Sequence, residues 1–219
     1  MTAEMLSVRG LSIRFGRMTI VENVDISCAS GSVTVLTGAN GSGKTTALNA
    51  LNGLARRRAG RIAIDGRDVP FSWTPYQAFA YGVRRTFQVP RNWPSLDVAE
   101  NVGIASDRGA AAIAEQIRRC LAGVAKDRAP ATLSLGQRRM LELSRLLLAR
   151  GECKVALLDE PLSGLDADNA ARVYAAVEQL RRTGAAVLIV DHEPRNWPGR
   201  DATIQLDVPP LSRDRNGPH

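Results

Sequence analysis

Three short apolar runs and one longer periodic segment organise this chain. Val33-Thr34-Val35-Leu36-Thr37 is apolar and β-branched, which predicts a short buried strand. Val155-Ala156-Leu157-Leu158 and Ala185-Ala186-Val187-Leu188-Ile189-Val190 read the same way. Each ends in polar residues, and such strand ends converge on one edge of a parallel sheet. Arg138–Arg150 carries Met140, Leu141, Ser144, Leu147 and Leu148 at helical spacing, which predicts an amphipathic helix. Ala47-Leu48-Asn49-Ala50-Leu51 opens another helix. The polar, proline-containing stretch 209–219 is expected to be a disordered tail, leaving 1–208 as the folded unit. No apolar run reaches the roughly 18 residues that a membrane-crossing segment needs.

Composition narrows this only slightly. A chain of 219 residues accommodates one large domain, or a core with a small subdomain. The net charge of +7 fits nucleic acid, an anionic membrane surface, or simple solubility. The basic residues are spread along the chain with one tight run, Arg56-Arg57-Arg58, which follows a helix and suits its dipole. Solubility is therefore the favoured reading, and no nucleic acid partner is expected. Cys28, Cys120 and Cys153 are too few and too scattered for a disulfide framework. The first five residues lack the basic-then-apolar pattern of a secretory signal.

The candidate chemistry sits at the strand ends. Gly38-Ala39-Asn40-Gly41-Ser42-Gly43-Lys44-Thr45-Thr46 fits the phosphate-binding pattern G-x-x-x-x-G-K-[ST] and stands between a strand and a helix, as that motif requires. Its glycines free backbone N–H groups to converge on phosphates at a helix N-terminus. Lys44 can reach the β- and γ-phosphates of a nucleoside triphosphate, and Thr45 can offer its hydroxyl to Mg²⁺. The run from Val155 delivers Asp159 and Glu160, adjacent acids that point to opposite faces. Asp159 is placed to hold Mg²⁺ through water, and Glu160 to orient an attacking water. The run from Ala185 ends in Asp191-His192; His192 is either structural or, as the convergence of strand ends favours, a γ-phosphate contact. Ser134 and Gly136 form a helix start open to an anion, which taken alone is only a capped helix.

These motifs, in this order, resemble the nucleotide-binding subunit of ABC (ATP-binding cassette) transporters, over about residues 5–206. Gly38–Thr46 looks like the Walker A loop, with Asn40, Gly41, Gly43 and Thr46 among its nucleotide contacts. Gln88, in Arg85-Thr86-Phe87-Gln88, resembles the Q-loop glutamine that also reaches the metal. Leu133-Ser134-Leu135-Gly136-Gln137 is similar to the family signature, with Leu135 in place of its first glycine. Asp159-Glu160 resembles Walker B, Ser163-Gly164-Leu165-Asp166 the D-loop, His192 the switch histidine, and Phe15 the aromatic that stacks on adenine.

The resemblance implies an α/β P-loop core, about 1–90 and 136–208, with an N-terminal antiparallel β-subdomain and an inserted helical subdomain at about 91–135. It also implies a head-to-tail dimer with a second ATPase subunit, in which Ser134, Gly136 and Gln137 of one copy face the Walker A loop of the other. Asp166 then lies at the interface. Transmembrane permease subunits are the implied partners, at the cytoplasmic face of the cell membrane, with Trp93 and Leu96 as candidate contacts. Trp93 could equally cap the helical subdomain. The likeness is greatest to the ATPases of branched-chain amino-acid importers. A soluble ATPase acting on ribosomes or nucleic acid is the alternative. Leu135 either crowds the phosphate or faces away. Pro90-Arg91-Asn92-Trp93-Pro94 recurs as Pro194–Pro198, by chance or as two surface anchors.

Overall fold

Leu6, Val8, Leu11 and Ile13 are buried along β1 (Glu4–Phe15), an alternating pattern with one slip at Gly10. The computed structural model describes residues 3–104, 106–149, 151–193 and 195–207; the expected tail at 209–219 lies outside them. At Gly10 the backbone turns to φ +62°, the register shifts, and the amide donates to the Asp25 carboxylate at 2.7 Å. This bulge returns Leu11 and Ile13 to the buried face. β1 is central to an antiparallel sheet of order β2-β1-β4-β5, with β2 at Met18–Ala29, β4 at Ala59–Ile64 and β5 at Arg67–Asp68.

The second sheet is parallel, in the order β6-β7-β8-β3-β9. Its strands are β3 (Val33–Thr37), β6 (Val83–Arg85), β7 (Val155–Asp159), β8 (Ala186–Val190) and β9 (Arg200–Gln205). Every residue of β3, β7 and β8 is buried, as the unbroken apolar runs require. Period-two alternation splits them between two cores. Leu157 and Leu188 pack with α1 (Lys44–Leu51) and the antiparallel sheet. Ala156, Leu158, Val187 and Ile189 pack with α5 (Leu135–Leu147), α6 (Ala167–Arg182) and the small helices α3 (Val98–Gly103) and α4 (Ala110–Cys120). Burying each Leu or Ile side chain fully contributes about 1.5–3 kcal/mol, so the three central strands anchor the edge that carries the site. A further short helix, α2 (Pro75–Ala80), precedes β6.

The helix start expected at Ser134 is found there: the helix whose apolar face was expected over Arg138–Arg150 runs Leu135–Leu147. Ser134 caps it: its Oγ accepts from the Gln137 amide at 3.2 Å, while Gln137 Oε1 accepts from the Ser134 amide at 3.0 Å. That reciprocal box satisfies two otherwise orphan donors and fixes the start. The repeated pentapeptide is not a pair of surface anchors. Trp197 is 3% exposed and lies 4.8 Å from the Tyr174 ring of α6, because the connection from β8 to β9 crosses that helix. Trp93 is 46% exposed.

Candidate functional site

The loop from Gly38 to Gly43 joins β3 to α1 and is shaped by two tight approaches. Gly38 (φ +148°) could not carry a Cβ, which would lie 2.3 Å from the Leu206 carbonyl oxygen. At Gly43 (φ +93°) a Cβ would come within 2.7 Å of the Ile20 oxygen. Glycine is required at both for backbone and space together. Lys44 Nζ donates to the Gly38 and Ala39 carbonyls at 2.8 and 2.9 Å, so the ammonium closes the loop's arch.

The loop forms one wall of a cleft of about 380 Å³, together with Gln88, Glu160 and His192. Asn40, Gly41, Thr45 and Thr46 also line it, as does Ile20 of β2, which no motif marks. Four strand ends thus meet at one edge. Thr45 Oγ1 donates to Asp159 Oδ1 at 3.3 Å. Glu160 Oε1 lies 2.7 Å from His192 Nε2, and its other oxygen accepts from Gln88 Nε2 at 3.2 Å. The two adjacent acids therefore serve separate clusters, as alternation demands. Glu160 adopts φ +45°, a left-handed conformation costing a non-glycine residue about 1–3 kcal/mol. Its amide donates to the Val190 carbonyl at 3.0 Å, so the end of β8 holds this turn in place.

The donor set suits Mg²⁺ brought in with phosphate. Thr45 and Asp159 offer adjacent oxygens, which a small hard cation prefers. Among the described residues no cluster of three or more His, Cys, Asp or Glu side chains could hold a metal. Mg²⁺ commonly takes only one or two protein oxygens and completes its shell with water and substrate phosphate. Gln88 spends its amide nitrogen on the Glu160 carboxylate.

Other expected residues stand apart from this cleft. Phe15 is exposed at the end of β1, opposite Met18, and does not line it. Ser134, Gly136 and Gln137 open α5, and Asp166 caps α6; none of them lines it either. The two helix starts are locked together. A Cβ on Gly136 would sit 2.3 Å from Asn169 Cγ, and Asn169 donates its amide and side-chain nitrogen to the Asp166 carboxylate at 2.8 and 2.9 Å. Those donors hold the Asp166 carboxyl below the usual carboxylate range.

Leu135 is 37% exposed and leans on the turn before α6, where a Cβ on Gly164 would be 3.1 Å from its Cδ2. Its side chain is thus spent against its own chain. Leu135→Gly is expected to leave ATP turnover within a few-fold; restoration from near zero would show that Leu135 blocks the phosphate.

Several residues of the site carry no motif. On α5, Arg139, Glu142 and Arg145 grip the backbone around Gln88. Arg139 donates to the Phe87 carbonyl and, at 2.6 Å, to the Gln88 carbonyl. Glu142 Oε1 accepts from the Phe87 and Arg91 amides at 3.2 Å each, and Arg145 donates to the Arg91 carbonyl. Arg139 and Glu142 pair at 2.9 Å with side chains 1% and 2% exposed. Burial pushes the Glu142 carboxyl above its usual range, against the pull of Arg139. The visible signal is their i, i+3, i+6 spacing within a helix whose other faces are apolar. Beside this clamp lies a mostly apolar groove of about 590 Å³ flanked by Phe79, Phe87, Trp93 and Arg145. Trp93 is held there by its amide to Asn101 Oδ1 at 2.8 Å and by the Arg145 guanidinium 4.7 Å over its ring.

The family model described as ABC transporter matches residues 21–163. The sn-glycerol-3-phosphate import ATP-binding protein UgpC 1 of Rhizobium johnstonii is 36% identical over 197 residues, covering 86% of this chain and 52% of that protein. The ribose import ATP-binding protein RbsA of Chromobacterium violaceum is 31% identical over 198 residues, covering 85% of this chain and 39% of that one. The chain therefore spans about half the length, or less, of these curated relatives. Two structures of MJ1267, an ATP-binding cassette of an ABC transporter, superpose on it. The ADP conformation gives a TM-score of 0.75 at 26% identity, covering 89% of this chain and 83% of that one. A second form gives 0.80 at 25%, covering 95% and 91%. The chain belongs to the ABC transporter family.

Proposed function

We propose that this chain binds ATP with Mg²⁺ and hydrolyses it to power a small-molecule importer. In that reading it is a peripheral subunit on the cytoplasmic face of the membrane, working with transmembrane permease subunits and a second cassette. The observation that carries this is the convergence of Lys44, Thr45, Gln88, Glu160 and His192 on one cleft at the mouth of a phosphate loop, with Asp159 buried behind Thr45 in the adjoining cavity that Thr45 and Gln88 share. The relatives quoted above are named for import of sn-glycerol-3-phosphate and ribose. They favour import and lend the amino-acid reading no support.

The residues divide the work as follows. Loop amides and the N-terminus of α1 cradle the phosphates, and Lys44 exchanges its loop carbonyls for phosphate oxygens. Thr45 and Asp159 hold the cation, which when bound neutralises phosphate charge. Glu160 orients the attacking water and draws its proton, with Gln88 and His192 fixing the carboxylate. Phe15 offers an exposed face for adenine. Ser134, Gly136 and Gln137 of a second copy close the site from across a dimer interface near Asp166. The groove beside Trp93 suits a helix or loop of the permease, with Leu96 close by in sequence. The clamp would pass motion in that groove along α5 to its capped start at Ser134.

Affinity purification of the tagged chain from membranes, with identification of what accompanies it, tests this proposal. Recovery of integral membrane proteins is expected. Recovery with ribosomes or DNA, and without membrane protein, would overturn it.

A further inference from the structure

Arg85 ends β6, the strand beside β7, and pairs in register with Leu157. Leu157 and Asp159 project from the same face of β7, so the Arg85 side chain runs diagonally to the Asp159 carboxylate. Its Nη2 meets Asp159 Oδ2 at 3.1 Å, and both side chains are 2% exposed. Nη1 donates to Asn49 Oδ1 on α1 at 2.6 Å, and the guanidinium lies 4.9 Å from the Phe87 ring centroid. The cation is thus pinned from a strand, a helix and an aromatic ring at once. Asp159 is left with a defined division of labour: Oδ2 is held by Arg85, and Oδ1 is turned to the Thr45 hydroxyl.

A buried pair of this kind roughly breaks even against apolar packing, because desolvating two charges offsets their attraction. Stability alone is therefore a weak reason to keep it. Orientation is a stronger one, since a carboxylate on a free χ2 rotor would present either oxygen, or both, to the cleft. We infer that Arg85, braced by Asn49, is a positioning residue that aims Oδ1 of Asp159 at the cation site shared with Thr45. This rests on the ATP–Mg²⁺ reading above. Arg85 itself touches neither nucleotide nor water in the proposed step; it acts through Asp159.

The test measures ATP binding by calorimetry, first in EDTA and then across a Mg²⁺ titration, for the unaltered chain and for Arg85→Lys and Asn49→Ala. Lysine keeps the charge but cannot bridge Asp159 and Asn49 with one planar group. Arg85→Lys is expected to raise the Mg²⁺ concentration for half-maximal enhancement of ATP binding by about tenfold, the size usual for lost outer-sphere partners of a metal ligand. Metal-free ATP affinity should stay within about twofold, because the loop that cradles phosphate is untouched. Asn49→Ala, which leaves the ion pair in place, should shift the midpoint in the same direction by a smaller factor. It carries the test if Arg85→Lys does not fold. An unchanged Mg²⁺ midpoint in the folded variants, or a parallel loss of metal-free binding, would overturn the inference. Absence of any Mg²⁺-dependent ATP binding by the unaltered chain would instead sink the functional proposal beneath it.

Discussion

Replacing Glu160 by Gln is expected to lower ATP turnover by about 10²–10⁴-fold, the usual contribution of a positioned general base. ATP binding should remain within a few-fold. Glutamine keeps the shape, but only one of its two terminal atoms accepts, so it keeps the contact with Gln88 Nε2 or with His192 Nε2 and gives up the other. What it loses is the capacity to take a proton from water. The strained turn at φ +45° should survive, since its amide bond to Val190 does not involve the side chain. With hydrolysis blocked, ATP would stay between two copies, and gel filtration should show a dimer that ADP does not support. Turnover above about a tenth of the unaltered rate would contradict the role of Glu160 as base. A persistent monomer with ATP would count against a site shared between copies.

The second large effect is structural. Glu142→Ala is expected to destabilise the chain by about 3–5 kcal/mol, because removing one member of a buried pair leaves Arg139 uncompensated. It also strips the Phe87 and Arg91 amides of their acceptor. Replacing both partners, as Arg139→Met with Glu142→Leu, should cost less than the loss of the pair's charge balance suggests. It should still cost something, because the Phe87 and Gln88 carbonyls then lose the Arg139 donor. Urea unfolding at neutral pH measures both variants: the single change should move the midpoint further than the double one. If the single change lowered the unfolding free energy by less than about 1 kcal/mol, the pair would not be holding the backbone around Gln88 in place.

The residues legible in the sequence are those whose chemistry depends on local spacing. The phosphate loop, Asp159-Glu160 and His192 each sit directly after an apolar run, and the parallel sheet brings those ends to one edge. Arg85, Asn49, Arg139 and Glu142 were not legible, because their roles exist only across elements. Arg85 meets Asp159 from 74 positions away, and Arg139 meets Gln88 from 51. The two Pro-Arg-Asn-Trp-Pro segments make the same point in reverse. Identical residues yield a half-exposed Trp93 by the groove and a buried Trp197 against Tyr174, since burial is set by what lies opposite. The helix start after Ser134 was legible from its capping residue, and the structure adds the reciprocal bonds with Gln137 that fix it.

The central claim is that Lys44 and Ser134 act on one ATP from different copies. It is tested most directly by mixing two inactive variants. Lys44→Ala removes the phosphate lysine. Ser134→Asp keeps a good N-cap for α5 but sets a negative charge where the γ-phosphate of the facing copy would lie. Each variant alone should have turnover near background. In an equimolar mixture, half the dimers pair one of each, and each such dimer holds one intact site. Turnover should then recover to roughly a quarter of the unaltered rate if copies associate at random. A mixture no more active than the sum of its parts would contradict the shared site.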